Sequence, residues 1–380
     1  MTIHWCGTGL SAIPGLRRLI EAGHEVTVWN RSTDKARAAV GDLTDNIRAF
    51  DKTALAAVLQ PGDVVVSMLP GDWHVPLAEL CLEKGAHFVS SSYIAPEMRA
   101  LDETARQKGL CIVNEIGLDP GIDHLMAHQL VAEYRASSAY DARNDLSFTS
   151  YCGGVPKHPN PFRYKFSWSP LGVLKALRSP SRSIRNFSEL SVSRPWDAIS
   201  SYTAPLATPE AFEVYPNRDS IPFIVDYRFD SAWRIKDFVR GTLRLNGWSE
   251  AWEDVFTEIE TLTGTEGDAR LKEMSDQFWS EHAYETDDPD RVVLCVDLRA
   301  EQDGKAVWHK TYVMDAWGDS RGTAMARLVS VPVSLAVESV LNQEIAAGVS
   351  PAPHDPKLVT RYLAEVDRLA QHLEIVDHLA

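Results

Sequence analysis

A glycine-rich turn near the start of the chain restricts the fold more than any other feature of this sequence. Gly7, Gly9 and Ala12 are spaced as G-x-G-x-x-A. The turn follows the apolar run at residues 3–6 and opens a helical pattern with Pro14 in its first turn. In such a turn the first glycine permits a tight bend, the second lets the backbone approach a pyrophosphate, and a small third residue allows close helix–strand packing. The motif therefore predicts a strand–turn–helix unit that binds a dinucleotide, although an ordinary glycine-rich turn would share the spacing.

Short apolar runs alternate with helical patterns through the first 120 residues. The predicted strands are residues 3–6, 25–29, 47–50, 63–69, 87–91 and 110–115, and the predicted helices are residues 13–22, 54–59, 75–84 and 98–108. Apolar strands that alternate with helices form parallel sheets covered on both faces. The fold class is therefore predicted as α/β, with a Rossmann-type doubly wound parallel sheet in residues 1–120.

The remaining chain is predicted to form a second domain, because 380 residues exceed what one core usually serves. Strands are predicted at residues 146–152, 223–229, 240–245, 291–299 and 306–314, and a charged helical segment at about 250–284. We assign residues 121–319 to this domain and residues 346–380 to a C-terminal tail and helix. Helices at about 320–345 are predicted to pack back near the first domain.

The composition excludes several classes of partner. The net charge of −15 disfavours binding to nucleic acid or to anionic membrane. The five cysteines lack C-x-x-C spacing, which predicts a reduced cytoplasmic protein without a metal site. The start of the chain has no basic stretch followed by an apolar core, so no secretory signal is predicted.

The end of the second predicted strand indicates which dinucleotide is bound. It reads Asn30-Arg31-Ser32, where enzymes that use NAD usually carry an acidic residue for the ribose hydroxyl. An arginine with neighbouring hydroxyls can instead bind a 2′-phosphate. The sequence therefore predicts NADP as the cofactor, although Arg31 could also belong to a solvated turn.

Longer polar strings in the chain closely resemble the saccharopine reductase family, which comprises the glutamate-forming saccharopine dehydrogenases. The most specific strings are NEIGLDPGIDH at residues 114–124, SYCGG at 150–154, YKFSW at 164–168, YPNRDS at 215–220 and RGTLR at 240–244. With the glycine-rich turn they occur in the family's order from about residue 3 to about residue 250. The resemblance resumes more loosely at residues 322–326.

The resemblance implies both an architecture and a reaction. It implies a substrate domain built on a mixed sheet that also forms a homodimer, with a small helical addition. It also implies NADP-dependent interconversion of saccharopine with glutamate and 2-aminoadipate 6-semialdehyde, by hydride transfer and hydrolysis of an imine. The partner is then a small amino acid, and the chemistry belongs to lysine metabolism.

The resemblance also implies the residues of the site. Arg218 and Arg244 match the arginines that bind the substrate carboxylates, and Asp119 matches the residue that binds its ammonium group. The remaining predicted substrate contacts are Ser92, Tyr93, Thr242 and Leu243. The predicted cofactor contacts are Gly7, Thr8, Gly9, Leu10, Ser11, Asn30, Arg31, Ser32, Asp51, Leu69, Leu118, Pro120 and Ser167.

The general acid or base remains open among Asp119, Tyr93, His124 and Lys165, and we predict Asp119 as the catalytic residue. Asp123 is predicted to be structural, because an acid in the first turn of a helix stabilises that helix. Two other functions remain open: a related lysine or carboxynorspermidine dehydrogenase, and a non-catalytic protein that binds NADP(H). A polyamine substrate would require acidic residues in the pocket, so the two arginines favour saccharopine.

Overall fold

The computed structural model describes residues 1–285 and 287–380. The strands are β1 (Ile3–Cys6), β2 (Val26–Asn30), β3 (Ile47–Ala49), β4 (Val64–Ser67), β5 (His87–Ser90), β6 (Cys111–Val113), β7 (Asp145–Pro156), β8 (Ser181–Arg185), β9 (Ser188–Val192), β10 (Ser200–Ala204), β11 (Glu210–Pro216), β12 (Arg234–Leu245), β13 (Asp290–Gln302), β14 (Lys305–Trp317), β15 (Gly348–Ser350) and β16 (His372–Asp377).

The helices follow in the same chain order. They are α1 (Ile13–Glu21), α2 (Thr33–Val40), α3 (Lys52–Val58), α4 (His74–Lys84), α5 (Pro96–Arg99), α6 (Asp102–Lys108), α7 (Ile122–Ala136), α8 (Pro170–Leu177), α9 (Pro222–Asp226), α10 (Trp248–Ala251), α11 (Glu253–Thr261), α12 (Gly264–His282), α13 (Ala324–Leu341) and α14 (Pro356–Leu369). Short 3₁₀ helices occupy Gly71–Trp73 and Pro195–Ala198.

The chain divides into two compact units. Unit 1 consists of residues 1–125 and 326–366, and unit 2 of residues 126–325 and 367–380. Near its C-terminal end the chain thus contributes most of α13, β15 and most of α14 to unit 1, whereas β16 belongs to unit 2.

The sheet of unit 1 confirms the predicted doubly wound parallel fold. Its strand order is β15-β6-β5-β4-β1-β2-β3, and every recorded pairing in it is parallel. The strand order reverses beside β1, which pairs with both β2 and β4. In sheets of this kind the crevice at the reversal, at the carboxyl ends of the strands, is where ligands bind. The glycine-rich turn leaves β1 at that place.

Unit 2 contains the mixed sheet. Its main path is β10-β11-β12-β7-β13-β14-β16, in which β12 and β7 run parallel and the other neighbours antiparallel, while β8 and β9 form a side branch. Helices α10–α12 and α8 pack around an aromatic cluster that includes Trp248, Trp252 and Phe256. These helices form the small helical addition.

One predicted element is wrong, and one helix of unit 1 is not predicted from the sequence. Residues 223–229 were expected to form a strand, but Pro222–Asp226 is a helix. Proline suits the first helical position, and Phe223 and Tyr227 are both buried at a spacing that shares one helix face. An unpredicted helix, α2, begins after Ser32, whose hydroxyl accepts a hydrogen bond from the Lys35 N–H.

Helix α13 has the length and apolar composition of a membrane span, but 83% of it is buried within the structure, as in a core helix.

Candidate functional site

The glycine-rich turn of unit 1 has the conformation that its residues predict. Gly7 adopts φ +106°, and a Cβ there would lie 2.7 Å from the carbonyl oxygen of Met68, just after β4. Apart from its two chain neighbours, no described residue has an atom within 4 Å of the position where Gly9 would carry a Cβ. A side chain is therefore excluded at Gly7 by contact, whereas at Gly9 its absence leaves the backbone open to a ligand.

The N-terminus of α1, directly after this turn, has features that favour binding of an anion. The first turn of α1 contains no acidic residue. The Thr8 hydroxyl is buried and has no hydrogen-bond partner among the described residues. Free backbone N–H groups and a positive dipole end at a helix N-terminus favour phosphate. The turn therefore fits the pyrophosphate of a dinucleotide, with Leu10 and Ser11 between it and the helix.

Asn30 connects this turn to the loop after β2. Its Oδ1 accepts a hydrogen bond from the Thr8 N–H at 3.1 Å, and its Nδ2 donates to the Ser32 carbonyl at 2.8 Å. Between them Arg31 is exposed, and no recorded ion pair of residues 1–285 and 287–380 includes it. A cation without a protein partner beside the turn is available for a 2′-phosphate.

The other predicted cofactor contacts lie in different surroundings. Asp51 accepts a hydrogen bond from the Ala54 N–H and thereby caps α3. Leu69 follows β4, with a side-chain carbon 3.3 Å from the Cβ position of Gly7. Leu118 and Pro120 are buried after β6, in unit 1, whereas Ser167 is buried in unit 2. For Asp51 and Ser167 the cofactor role stays a prediction.

A tyrosine–carboxylate pair lies where β5 and β6 end. The Tyr93 hydroxyl donates to Asp119 Oδ1 at 3.2 Å, which links the segment after β5 to the segment after β6. The peptide bond from Asp119 to Pro120 is cis. The two groups can exchange a proton, so two of the four acid–base candidates are adjacent.

The other two acid–base candidates have structural partners. His124 lies between two buried carboxylates, with Nε2 3.2 Å from Glu115 and Nδ1 3.4 Å from Asp123. Asp123 also accepts a hydrogen bond from the Gly121 N–H at 2.7 Å. Lys165 forms an ion pair with Asp288. These contacts favour Asp119 and Tyr93 for proton transfer.

Arg244 of β12 lies in an aromatic cage. Its guanidinium carbon is 4.8 Å from the ring centre of Tyr164, 5.3 Å from that of Trp248 and 5.7 Å from that of Tyr215. Cation–π contacts of this kind stabilise a positive charge without neutralising it. Burial raises the pKa of the Tyr215 phenol, so this ring stays uncharged beside the arginine.

Arg244 has no anionic partner in the part of the chain that the structure describes. The residue is 6% exposed, and the hydrogen bond that its Nη1 donates to the Leu243 carbonyl is long, at 3.4 Å. Two buried donors of the cage, Arg244 Nε and Trp248 Nε1, have no hydrogen-bond partner among the described residues. Because burial of an unpaired charge is costly, an anion bound from outside the protein would stabilise this arginine.

The neighbours of Arg244 divide between the two faces of β12. Thr242 shares the face of Arg244 because side chains alternate along a strand. Leu243 points to the other face, where it is fully buried in an apolar cluster, so only its backbone can contact a ligand. Arg218 is exposed after β11 at φ +56°, and its neighbour Asp219 pairs with Arg182 at 2.6 Å.

Unit 2 also brings together Asp297, His309 and His378, which could ligate a metal by residue type. The two imidazoles stack with ring centres 4.0 Å apart, so their in-plane lone pairs run side by side. The Thr311 hydroxyl lies 2.6 Å from Asp297 Oδ2 and 2.8 Å from His378 Nε2. These contacts describe a hydrogen-bonded network.

Sequence reasoning missed two groups of residues. The cage residues Tyr164, Tyr215 and Trp248 are far apart in sequence, and only the fold brings them together. The second group is Ser67 and His74: Ser67 at the end of β4 bonds to His74, and His74 bonds to Ser92 beyond β5. A polar residue at the end of an apolar strand was the available signal for Ser67.

Comparison with family models covers nearly the whole chain. Residues 5–113 match the model described as the saccharopine dehydrogenase NADP binding domain. Residues 117–369 match the model described as the saccharopine dehydrogenase C-terminal domain.

Individual relatives are similar over different lengths. A saccharopine dehydrogenase (NADP(+), L-glutamate-forming) from Pyricularia oryzae is 36% identical over 64% of this chain, which spans 54% of that relative. The enzyme of the same name from Schizosaccharomyces pombe is 28% identical over 93% of each chain. The structure of apo saccharopine dehydrogenase (L-Glu forming) from Saccharomyces cerevisiae superposes with a TM-score of 0.80, 26% identity and 99% coverage of both chains. The chain thus spans about half the length of the Pyricularia relative.

Proposed function

The chain belongs to the saccharopine dehydrogenase family, and on this premise we propose that it interconverts saccharopine with L-glutamate and 2-aminoadipate 6-semialdehyde, with NADP(H) as the redox partner. The observation that carries the proposal is Arg244, a buried cation without an anionic partner among the described residues. A guanidinium binds a carboxylate through two parallel hydrogen bonds. Saccharopine carries three carboxylates and so supplies what the cage lacks.

The residues of unit 1 fit the cofactor. The open backbone at Gly9, the Thr8 hydroxyl and Arg31 would hold the pyrophosphate and the 2′-phosphate of NADP(H). Bound NADP+ supplies the hydride acceptor. In the oxidative direction the carbon beside the secondary amine loses a hydride, and the resulting imine takes up water and divides into glutamate and the semialdehyde. One saccharopine, one NADP+ and one water thereby give two amino-acid products, NADPH and a proton.

The remaining residues hold the substrate and its protons. We assign Arg244 and Arg218 to substrate carboxylates and Asp119 to the ammonium group. The Tyr93–Asp119 hydrogen bond provides a path for the proton that leaves the amine and for the protons that the hydrolysis moves. Asp119 is the catalytic residue of this proposal.

The test follows the absorbance of NADPH with three amines. We expect NADPH to form with NADP+ and saccharopine, and much less with lysine or carboxynorspermidine, because a buried cation disfavours a cationic substrate in its place. The reverse reaction with glutamate and the semialdehyde should consume NADPH. Preferential oxidation of lysine or the polyamine would contradict the substrate, and tight NADPH binding without turnover of any amine would indicate a non-catalytic role.

We propose that the chain is a homodimer, as the family resemblance implies. The outer strands β10 and β16 of the mixed sheet pair on one side only among the described residues. Such edges can pair with another chain. Light scattering of the eluting protein should give twice the 42.3 kDa chain mass. A single-chain mass at micromolar concentration would contradict the dimer.

We also propose a cytoplasmic location. The five cysteines are free and buried, and burial raises the pKa of the Cys6, Cys81 and Cys295 thiols. Protonated, buried thiols without disulfides suit a reducing compartment. Cell fractionation should place the protein with a cytoplasmic marker, and enrichment with a membrane or organelle marker would contradict this location.

A further inference from the structure

Two hydrogen bonds in series link three side chains at the carboxyl ends of two neighbouring strands in unit 1. Ser67 Oγ at the end of β4 lies 2.9 Å from His74 Nδ1, and His74 Nε2 lies 2.8 Å from Ser92 Oγ beyond β5. His74 is 7% exposed, and its ring meets the edge of Phe88 from β5 with ring centres 6.4 Å apart. Both ring nitrogens are therefore used and the ring is held in place.

The imidazole of His74 is neutral. Burial lowers the pKa of His74 to about 4, against the opposing effect of Asp72. His74 is also the first residue of α4, where the helix dipole disfavours a cation. A neutral imidazole has one N–H donor and one acceptor nitrogen, so Ser67 and Ser92 must take opposite roles.

The surroundings of Ser67 determine which group donates in each of the two hydrogen bonds of His74. Ser67 is 1% exposed, and His74 is the only side-chain partner recorded for its hydroxyl among the described residues. Because a buried hydroxyl proton without an acceptor is costly, Ser67 donates to Nδ1. The proton of His74 then resides on Nε2 and is donated to Ser92 Oγ.

Ser92 is left with a proton to donate. Its oxygen accepts from His74, and its backbone N–H donates to Ser90 Oγ at 3.1 Å, which anchors the residue. A hydroxyl that accepts a hydrogen bond becomes a better donor itself. Ser92 is only partly buried, so its proton is available to an acceptor outside the protein. The next residue, Tyr93, donates to Asp119, so Ser92 borders the proposed proton-transfer pair.

We propose that His74 is a positioning residue that directs the Ser92 hydroxyl, as a hydrogen-bond donor, toward a carboxylate of the substrate. The proposal rests on the proposed function for the identity of that carboxylate. A hydroxyl donor needs an acceptor oxygen, which a carboxylate supplies and an ammonium group does not.

Two substitutions of His74 distinguish its hydrogen bond with Ser92 from its hydrogen bond with Ser67. The amide nitrogen of His74→Gln is as many bonds from Cα as Nε2 and can still donate to Ser92. The amide of His74→Asn ends near the position of Nδ1, so it can bond to Ser67 but does not reach Ser92. We expect His74→Asn to raise the KM for saccharopine roughly tenfold, the effect of losing one hydrogen bond of about 1.4 kcal/mol. His74→Gln should stay within about twofold to threefold of the wild type.

Three controls accompany this pair. Ser92→Ala should match His74→Asn, and the double variant should be no worse than Ser92→Ala, because both changes remove the same contact. The Kd for NADPH should be unchanged in all of them. Equal KM increases in the Asn and Gln variants, an unaltered KM in Ser92→Ala, or a loss of NADPH affinity that accounts for the KM change would overturn the proposal.

Nitrogen-15 NMR of the histidines shows which nitrogen of His74 carries the proton, and it needs no turnover. The His74 signals, identified by their loss in His74→Gln, should report the neutral Nε2–H form from pH 5.5 to 8. A proton on Nδ1, or titration within this range, would overturn the proposal. If the wild type binds NADPH but oxidises no saccharopine, the proposed function fails, whereas the NMR result still decides how His74 holds Ser92.

Discussion

Arg31 and Arg244 lie in opposite environments, and neither has a carboxylate partner among the residues that the structure describes. Arg31 is exposed, so its charge costs little without a ligand and contributes only when a second anion is near it. Arg244 is buried among rings, where an unpaired charge is expensive. We therefore expect Arg31 to set the preference between NADPH and NADH, and Arg244 to contribute much of the affinity for the substrate.

Replacing Arg31 with alanine tests the cofactor preference. We expect the KM for NADPH to rise about tenfold or more, because charge-assisted hydrogen bonds to a phosphate contribute roughly 1.5–3 kcal/mol. The KM for NADH, which lacks that phosphate, should change little. Arg37→Ala is the matched control, because Arg37 is an exposed arginine of α2 that already pairs with Asp45. Equal effects of Arg31→Ala on both cofactors would contradict the assignment.

At the scale of elements, two glycines near the start of α1 have different roles: one allows helix packing, and the other leaves the backbone accessible. A Cβ at Gly15 would lie 2.0 Å from the carbonyl oxygen of Ser330 in α13, so this glycine allows the two helices to touch. A Cβ at Gly9 would meet nothing within 4 Å. The sequence motif indicates Ala12 as the close-packing residue, but the structure shows that Gly15 also allows a close approach, to Ser330 of α13.

Alanine substitutions at these two glycines should separate stability from cofactor binding. Gly15→Ala should lower the free energy of unfolding by about 1–3 kcal/mol, because the overpacking exceeds the roughly 1 kcal/mol that alanine adds to helix propensity. Gly9→Ala should change it by less than about 0.5 kcal/mol and weaken NADPH binding. Chemical denaturation and NADPH titration measure both quantities. A more stable Gly15→Ala protein would show that α1 and α13 do not pack as described.

For the whole molecule, the sequence predicts the first sheet far better than the second. The alternation of buried strands and helices is local, and with the Gly7–Ala12 turn it determines the doubly wound order in unit 1. In unit 2 the parallel pairing of β12 with β7 joins distant residues, and no local pattern reveals it. The cage of Arg244 also joins distant residues: Tyr164 after β7, Tyr215 on β11, which pairs with β12, and Trp248 of helix α10. The arginine could be identified by family resemblance, but its lack of an anionic partner required the structure.

The acidic charge of the whole chain explains why an anionic substrate needs a buried local cation such as Arg244. With a net charge of −15 the protein repels a tricarboxylate at long range. Affinity must then come from buried or precisely placed groups such as Arg244, whose attraction is less screened than that of surface charges. The central claim is that this caged cation binds a substrate carboxylate.

The most direct test titrates saccharopine into the protein–NADPH complex, which cannot turn over, and compares the wild type with Arg244→Met. We predict that the variant keeps its NADPH affinity and its thermal stability, because an apolar side chain can replace a buried charge without penalty. Its affinity for saccharopine should fall on the order of a hundredfold, the effect of removing one partner of a buried charge pair. Unchanged saccharopine affinity in the variant would contradict the account.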